Sequence, residues 1–309
     1  MQTALFQHQS FLGHDTGAGH PERPERMTAV HRVLEDEAFA LLERIEAPAG
    51  TEDQILGVHA AHHLQRVQAA MPESGLAMIT GDTVACPTTL TSALHAVGAA
   101  CAAVDGVAAG TLRNAFCAVR PPGHHAESDR AMGFCFFNNA AIAAHHAVHH
   151  HGMERVAVLD FDVHHGNGTQ EIFWKRPDLF YGSTHQEHIF PGTGRADERG
   201  DHNTIVNAPL PMGSNGAAML AAFDERILPA LRTFHPELII ISAGFDAHRL
   251  DPLAGLAWTE DDYEAVTRRI MTAADELCGS RLVSVLEGGY HLDALAHSVA
   301  RHLRLLMEA

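Results

Sequence analysis

The segment Asp160-Phe161-Asp162-Val163-His164 carries three metal-binding side chains at every second position. On a strand, alternate side chains share a face, so two carboxylates and an imidazole can point the same way. Such a donor set suits a divalent metal, zinc above all, and by ligand type ferrous iron as well. Asp246, in Ser242-Ala243-Gly244-Phe245-Asp246, can supply a further ligand. Three protein ligands with one open position make the catalytic form of a zinc site. A single strand-end aspartate is as easily a loop cap. The joint presence of D-x-D-x-H and G-F-D in two segments points to a metal instead.

Two other segments carry groups that can move protons. Arg120-Pro121-Pro122-Gly123-His124-His125 holds adjacent imidazoles on a stiff turn. A neutral imidazole there suits general-base work near neutral pH. Glu287-Gly288-Gly289-Tyr290 places a phenol behind two glycines, where it can donate to an oxyanion. The run from His145 to His151 lies late in a helical pattern, where imidazoles suit the helix C-terminus, and a second metal site there is the minor reading. Cys135 is expected to be a packed thiol. No G-x-x-x-x-G-K-[ST] sequence occurs.

The elements that must position these groups can be read from apolar runs. These are Thr3–Phe6, Ala115–Val119, Val156–Phe161, Phe180–Ser183, Thr204–Asn207, Leu238–Ser242 and Leu282–Leu286. Several are apolar on both faces, as buried parallel strands are. Helical patterns lie between them at Asn139–His150, Met219–Phe234 and Glu260–Leu277, the last behind Thr259 as N-cap. The alternation predicts an α/β fold: a mostly parallel sheet flanked by helices on both faces, in a single domain over 1–309. Such sheets bind ligands at the carboxyl ends of their strands. The four chemical segments each follow a predicted strand, so they are expected to meet on one rim.

Composition narrows the function classes. The 309 residues hold 21 Lys+Arg against 38 Asp+Glu, a net charge of −17, so there is no basic footprint for nucleic acid. Twenty-five histidines ask for metal or proton chemistry. Five cysteines, an odd count with no C-x-x-C, argue against a disulfide framework. The start has no signal-peptide pattern, and no long apolar stretch is free of polar breaks. A soluble, cytoplasmic protein without a membrane partner is expected.

These segments together resemble the histone deacetylase superfamily, the zinc-dependent deacetylases that include acetylpolyamine amidohydrolases. The matching stretches are G-H-P-E-R-P-E-R (Gly19–Arg26), R-P-P-G-H-H-A (Arg120–Ala126), G-F-C-F-F-N-N (Gly133–Asn139), D-F-D-V-H-H-G-N-G-T (Asp160–Thr169), F-P-G-T-G (Phe190–Gly194), S-A-G-F-D (Ser242–Asp246) and L-E-G-G-Y (Leu286–Tyr290). They run in order through nearly the whole chain. The resemblance implies the arginase/deacetylase fold, with a sheet of about eight strands. It implies zinc on Asp162, His164 and Asp246, His125 as general base, and His124 as its electrostatic partner held by Asp160. Tyr290 becomes the oxyanion donor. Phe134 and Phe190 would wall a tunnel for an acyl-lysine stem, Gly133 would accept from its amide, and Asp82 would grip the substrate backbone at the rim. Family members also carry structural potassium, here implied at the backbone carbonyls of Asp160, Asp162 and His164 with Ser183 nearby, and a second ion near Phe173 and Leu179.

Four positions refine the resemblance. Asn167 stands where class I members carry Asp, which is similar to class II enzymes and suggests a bacterial class II-like member. Tyr290 is present where some class II members have His, which favours activity on acetyl groups. Leu253 stands where the polyamine-selective class II member has a Glu gatekeeper. Gly166 occupies the place of the second-metal Asp of two-manganese ureohydrolases, so that chemistry is not expected. The leading expectation is hydrolysis of N-acetylated amines, acetyl-lysine first, by a homo-oligomer. Acetylpolyamines, longer acyl groups or another small amide form the alternative. A non-catalytic acyl-lysine binding module is the reading from another class.

Overall fold

The computed structural model describes residues 2–308. All seven apolar runs lie on strands, with ends shifted by a few residues. The strands are β1 (Thr3–Gln7), β2 (Glu43–Glu46), β3 (Ala77–Met78), β4 (Val84–Ala85), β5 (Asn114–Cys117), β6 (Val156–Asp160), β7 (Leu179–Gln186), β8 (Ile205–Leu210), β9 (Leu238–Ala243) and β10 (Leu282–Leu286). Eight form one sheet in the order β2-β1-β5-β10-β9-β6-β7-β8, parallel at each pairing. β3 and β4 make a separate antiparallel hairpin. The eighth strand of the large sheet, β2, escapes a reading by apolar runs: its Glu-Arg-Ile-Glu is a mostly exposed edge.

The sheet order explains why the chemical segments meet. β5, β10, β9 and β6, the four strands that precede them, are consecutive neighbours at the sheet centre. The register levels their ends. Asp160 of β6 stands opposite Ser242 of β9, Ser242 opposite Val285 of β10, and Val285 opposite Cys117 of β5. All four chains therefore leave the sheet on the same side and at the same height.

Helices cover both faces. The Cys117 thiol lies against Ala99 O of the Thr89–Ala108 helix, while the ring of its neighbour Phe116 meets His302 of the Leu292–Glu308 helix. Adjacent strand residues point to opposite faces, so these helices lie on opposite sides. The Thr89–Ala108 helix is long and apolar enough to cross a membrane by length and composition. Its apolarity serves the core instead: Ala96, Ala99, Ala100, Ala103 and Val104 are all fully buried. The Asn139–His151 helix opens on Asn138, whose side chain accepts from Ala141 N–H, and closes on Gly152 at φ 68°. Glu260–Cys278 begins where Asp262 accepts from the Thr259 N–H at 2.8 Å. The stretch expected as one helix over Met219–Phe234 is three pieces: Gly216–Ala222, a π turn over Phe223–Ile227, and Leu228–Phe234. Pro229 has no N–H for an unbroken ladder, and the wider turn precedes it.

A buried ionic cluster ties the N-terminal segment to the sheet centre. Glu22, Arg26 and Arg120 have no exposed side-chain surface. Glu22 accepts from Arg120 through both oxygens and from Arg26 Nη1 at 3.0 Å. Arg26 Nε donates to Gly289 O at 2.7 Å. Burial opposes the Glu22 charge, but the two guanidiniums outweigh it and hold its pKa far below the ordinary value. Glu22→Ala would leave two buried cations without their carboxylate and should cost about 3–5 kcal/mol in denaturant unfolding. Because the folded pKa is depressed, the stability supplied by wild-type Glu22 is present above pH 4.5, the ordinary carboxyl value, and is lost as pH falls toward the folded value. A pH series of unfolding curves should show that slope in the wild type and a shallower one in the variant.

Candidate active site

Asp162, His164 and Asp246 converge where β6 and β9 end. Their ligand atoms all lie within 4.8 Å of one another, and all three residues are buried. His164 Nδ1 stands 3.2 Å from Asp162 Oδ1 and 3.1 Å from Asp246 Oδ2. Backbone donors orient both carboxylates: Asp162 accepts from His164 N–H and Gly288 N–H, and Asp246 from Val163 N–H, each at 2.9 Å. Gly288 can approach this closely only without a side chain, because a Cβ there would lie 2.3 Å from Asp246 Oδ2 and 2.7 Å from Asp162 Oδ2.

This trio is short of positive charge. Burial opposes a charged His164, but hydrogen bonds to Asp162 and Asp246 outweigh it and push the imidazole up to about 10. Burial and the charge of Asp162 raise the Asp246 carboxyl above its ordinary value. Two buried carboxylates and one imidazole that holds a proton this tightly fit a cation in the proton's place. By ligand type, this oxygen–nitrogen set suits a divalent metal such as zinc or ferrous iron.

The neighbouring imidazoles are pushed to opposite protonation states. Their ring centres lie 4.0 Å apart. His124 Nδ1 donates to Asp160 Oδ2 at 3.0 Å, and the Tyr181 hydroxyl donates to the same oxygen. Burial disfavours charge on His124, yet Asp162 and Asp160 outweigh it and hold its pKa well above the imidazole norm. Burial, His124 and His164 together push His125 well below that norm. His125 Nδ1 lies 2.8 Å from Asn167 Oδ1, while Asn167 Nδ2 donates to Glu127 Oε1 at 2.7 Å. The Glu127 carboxylate can only accept, so it fixes the amide with its oxygen toward His125. Nδ1 of His125 is thus the donor, and Nε2 keeps its lone pair.

Tyr290 closes the arrangement. Its N–H donates to Asp251 Oδ2 at 2.7 Å, and the Arg26 guanidinium lies 5.1 Å from its ring centre. Burial and the Asp246 charge push its phenol well above the ordinary value, so it stays a proton donor. Phe190, 42% exposed, lies 5.0 Å from the His125 ring, and Phe134 lies 5.8 Å from Tyr290. The two aromatics thus flank the imidazoles and the phenol. Gly133, at φ 56°, precedes Phe134. Asp82 is turned to the Gly133 N–H, 3.2 Å from each carboxylate oxygen, and to the hydroxyls of Thr80 and Thr83. Leu253 is 38% exposed, and its N–H shares the Asp251 carboxylate with Tyr290. Ser183 is buried opposite Asp160 in the β6–β7 register, Phe173 and Leu179 are buried, and so is Cys135.

Sequence reasoning assigned no part to Glu127, Asp251 or Glu287. Glu287 accepts from Gly123 and His124 N–H groups and from the Ser242 hydroxyl, so it joins the loop after β5 and the end of β9 to the segment after β10. The signal was a carboxylate at the head of E-G-G-Y, directly after an apolar strand. Gly166, where a two-metal site would need another Asp, lies so near Asp160 and Tyr181 that a Cβ would meet them at 2.4 and 2.6 Å.

A histone deacetylase domain model matches residues 20–306. The chain belongs to the histone deacetylase family. It is 42% identical to "Histone deacetylase 10, chloroplastic" of Oryza sativa subsp. japonica, over 96% of this chain and 71% of that protein. It is also 42% identical to the "Histone deacetylase-like amidohydrolase" of Pseudomonas aeruginosa, over 88% and 73% of the two chains. The "Probable deacetylase" of Archaeoglobus fulgidus is 38% identical over 95% and 82%. The crystal structure of the HDA15 HD domain superposes with a TM-score of 0.93 at 35% identity, covering 100% of this chain and 89% of that one. The fold is thus the arginase/deacetylase fold, and this histone deacetylase family chain is a hydrolase acting on amides, in a family that is zinc-dependent.

The Asn167 amide leaves His125 Nδ1 without a negative partner. Asn167→Asp should raise the His125 pKa and move the acid limb of kcat/KM to higher pH, by about one unit or more. A pH–rate profile of both proteins checks this; the wild-type limb should fall below the ordinary imidazole value of 6.5.

Proposed function

We propose that the protein removes acetyl groups from N-acetylated amines, with acetyl-lysine as the first substrate class. The observation that supports this reading is the buried Asp162–His164–Asp246 trio beside a neutral His125, a charged His124 and a protonated Tyr290. Asp162, His164 and Asp246 would hold the zinc, which supplies a Lewis acid that polarises the amide carbonyl.

The chain's own groups supply the proton transfers. His125 Nε2 takes a proton from the attacking water and gives it to the amine nitrogen as the C–N bond breaks. His124, held by Asp160, keeps a positive charge next to the developing negative one. The Tyr290 hydroxyl donates to the oxyanion formed from the carbonyl oxygen. Phe134 and Phe190 line the way for an alkyl stem, with the Gly133 carbonyl accepting from the substrate amide and Asp82 bracing that turn. Asn167 orients His125. The family resemblance adds potassium on the backbone carbonyls of Asp160, Asp162 and His164, with Ser183 alongside.

The exposed Leu253 at the rim supplies no carboxylate to grip a polyamine. A panel of acetyl-lysine peptides, acetylpolyamines and longer acyl-lysines, ranked by kcat/KM, decides the substrate class. Preference for a polyamine would overturn the acetyl-lysine assignment and keep the chemistry.

Tyr290→Phe should keep its zinc content and fold while lowering kcat by about 10²–10³-fold, the usual effect of one lost oxyanion donor. Metal analysis and an acetyl-lysine assay on the same sample check both halves. Unchanged turnover would remove Tyr290 from the reaction.

A further inference from the structure

We propose that Asp105, His146, His150 and His151 form a second transition-metal site, one that takes zinc and clips the Thr89–Ala108 helix to the Asn139–His151 helix. Each residue offers one ligand atom, and the four atoms lie within 4.8 Å of one another. Together they make three imidazole nitrogens and one carboxylate oxygen, a complete tetrahedral set for zinc.

The geometry comes from the helix. His146 and His150 are four residues apart, so they project from one face. Two histidines at that spacing on a helix can share a zinc ion. Their rings lie nearly parallel, 12° apart in plane with centres at 4.7 Å. His151 follows in the last turn, before Gly152 ends the helix. Asp105 reaches across from the neighbouring helix. His146 Nε2 and His151 Nε2 both stand 2.7 Å from the same oxygen, Asp105 Oδ1. Two imidazole nitrogens thus meet one carboxylate oxygen, and His150, the most exposed of the four, completes the group within the same 4.8 Å.

Access and competition both favour a metal here. The side chains of His146, His151 and Asp105 are 11%, 21% and 47% exposed, so an ion can enter while its ligands stay braced. The other histidine pair of this helix, His145 and His149, faces away, and Arg176 Nη1 lies 3.4 Å from His145 Nδ1. A cation already occupies that surroundings. The helix opens at Asn139, whose side chain donates to Pro121 O beneath the imidazole pair, and a 13-residue helix rises about 18 Å from first residue to last. His146 lies about 10 Å and His151 about 18 Å along the axis from that end, and the new site uses none of the candidate active-site residues.

The test counts metal. Wild type and the His146→Ala/His150→Ala double variant are dialysed against the same micromolar zinc buffer, and zinc per chain is measured by mass spectrometry alongside amide hydrolysis. The double variant should hold one equivalent less and keep its turnover. Asp105→Asn, which keeps the side-chain shape, should show the same deficit. Added zinc should raise the wild-type melting temperature more than that of either variant. Equal zinc content in wild type and both variants overturns the site. So does a deficit accompanied by loss of turnover, since the missing ion would then be the one at Asp162, His164 and Asp246.

Discussion

Two negative charges, Asp162 and Asp246, are pressed together inside the protein, and much of the molecule is arranged around that burden. An isolated buried carboxylate is strongly disfavoured, and two side by side more so. The chain answers with three backbone N–H groups from two loops: Val163 and His164 after β6, and Gly288 after β10. It adds an imidazole, His164, that clings to a proton. The requirement for β6, β9 and β10 to deliver these carboxylates and donors at one height is met by the parallel register, which no local rearrangement can adjust without slipping a whole strand.

The imidazole pair illustrates how neighbours divide labour. His124 and His125 are adjacent in sequence and nearly in ring contact, yet one rests on the Asp160 carboxylate and the other on the neutral Asn167 amide. That difference in partner, with the Asp162 charge acting on His124 and the charges of His124 and His164 acting on His125, separates their proton affinities. The supporting groups stand further out. Glu127 sets the Asn167 amide, Asp251 holds the Tyr290 backbone, and Arg26 joins the buried ionic cluster to the loop that carries Tyr290. The G-H-P-E-R-P-E-R segment, remote in sequence from the chemistry, thus has a physical reason to be there: Glu22 and Arg26 belong to it.

The convergence of Asp162, His164 and Asp246 beside the His pair was legible in the sequence because each is a short pattern at a strand end, and alternation along a strand fixes which side chains can converge. The sheet was legible because its inner strands are apolar on both faces. The edge strand Glu43–Glu46 was not, since an exposed edge carries no apolar run. The helix over Met219–Phe234 was read as continuous because its apolar spacing runs through a π turn almost unchanged. Glu127, Asp251 and Glu287 were invisible for a different reason. Their partners are backbone N–H groups and amides dozens of residues away, and a carboxylate in a loop has the same letter whether it faces water or a buried histidine.

The placement of β10 has a consequence for how the molecule is made. This strand, near the end of the chain, sits between β5 and β9 at the middle of the sheet, and the Thr3 hydroxyl and the Asn114 side chain both donate to Leu306 O. During synthesis on the ribosome, everything up to residue 281 has emerged before the two halves of the sheet can be joined. Until then β5 and β9 present open, apolar edges, the kind of surface that chaperones grasp and that invites misassembly. A nascent fragment that lacks β10 lacks the middle of the hydrolase rim, because Gly288 and Tyr290 follow that strand.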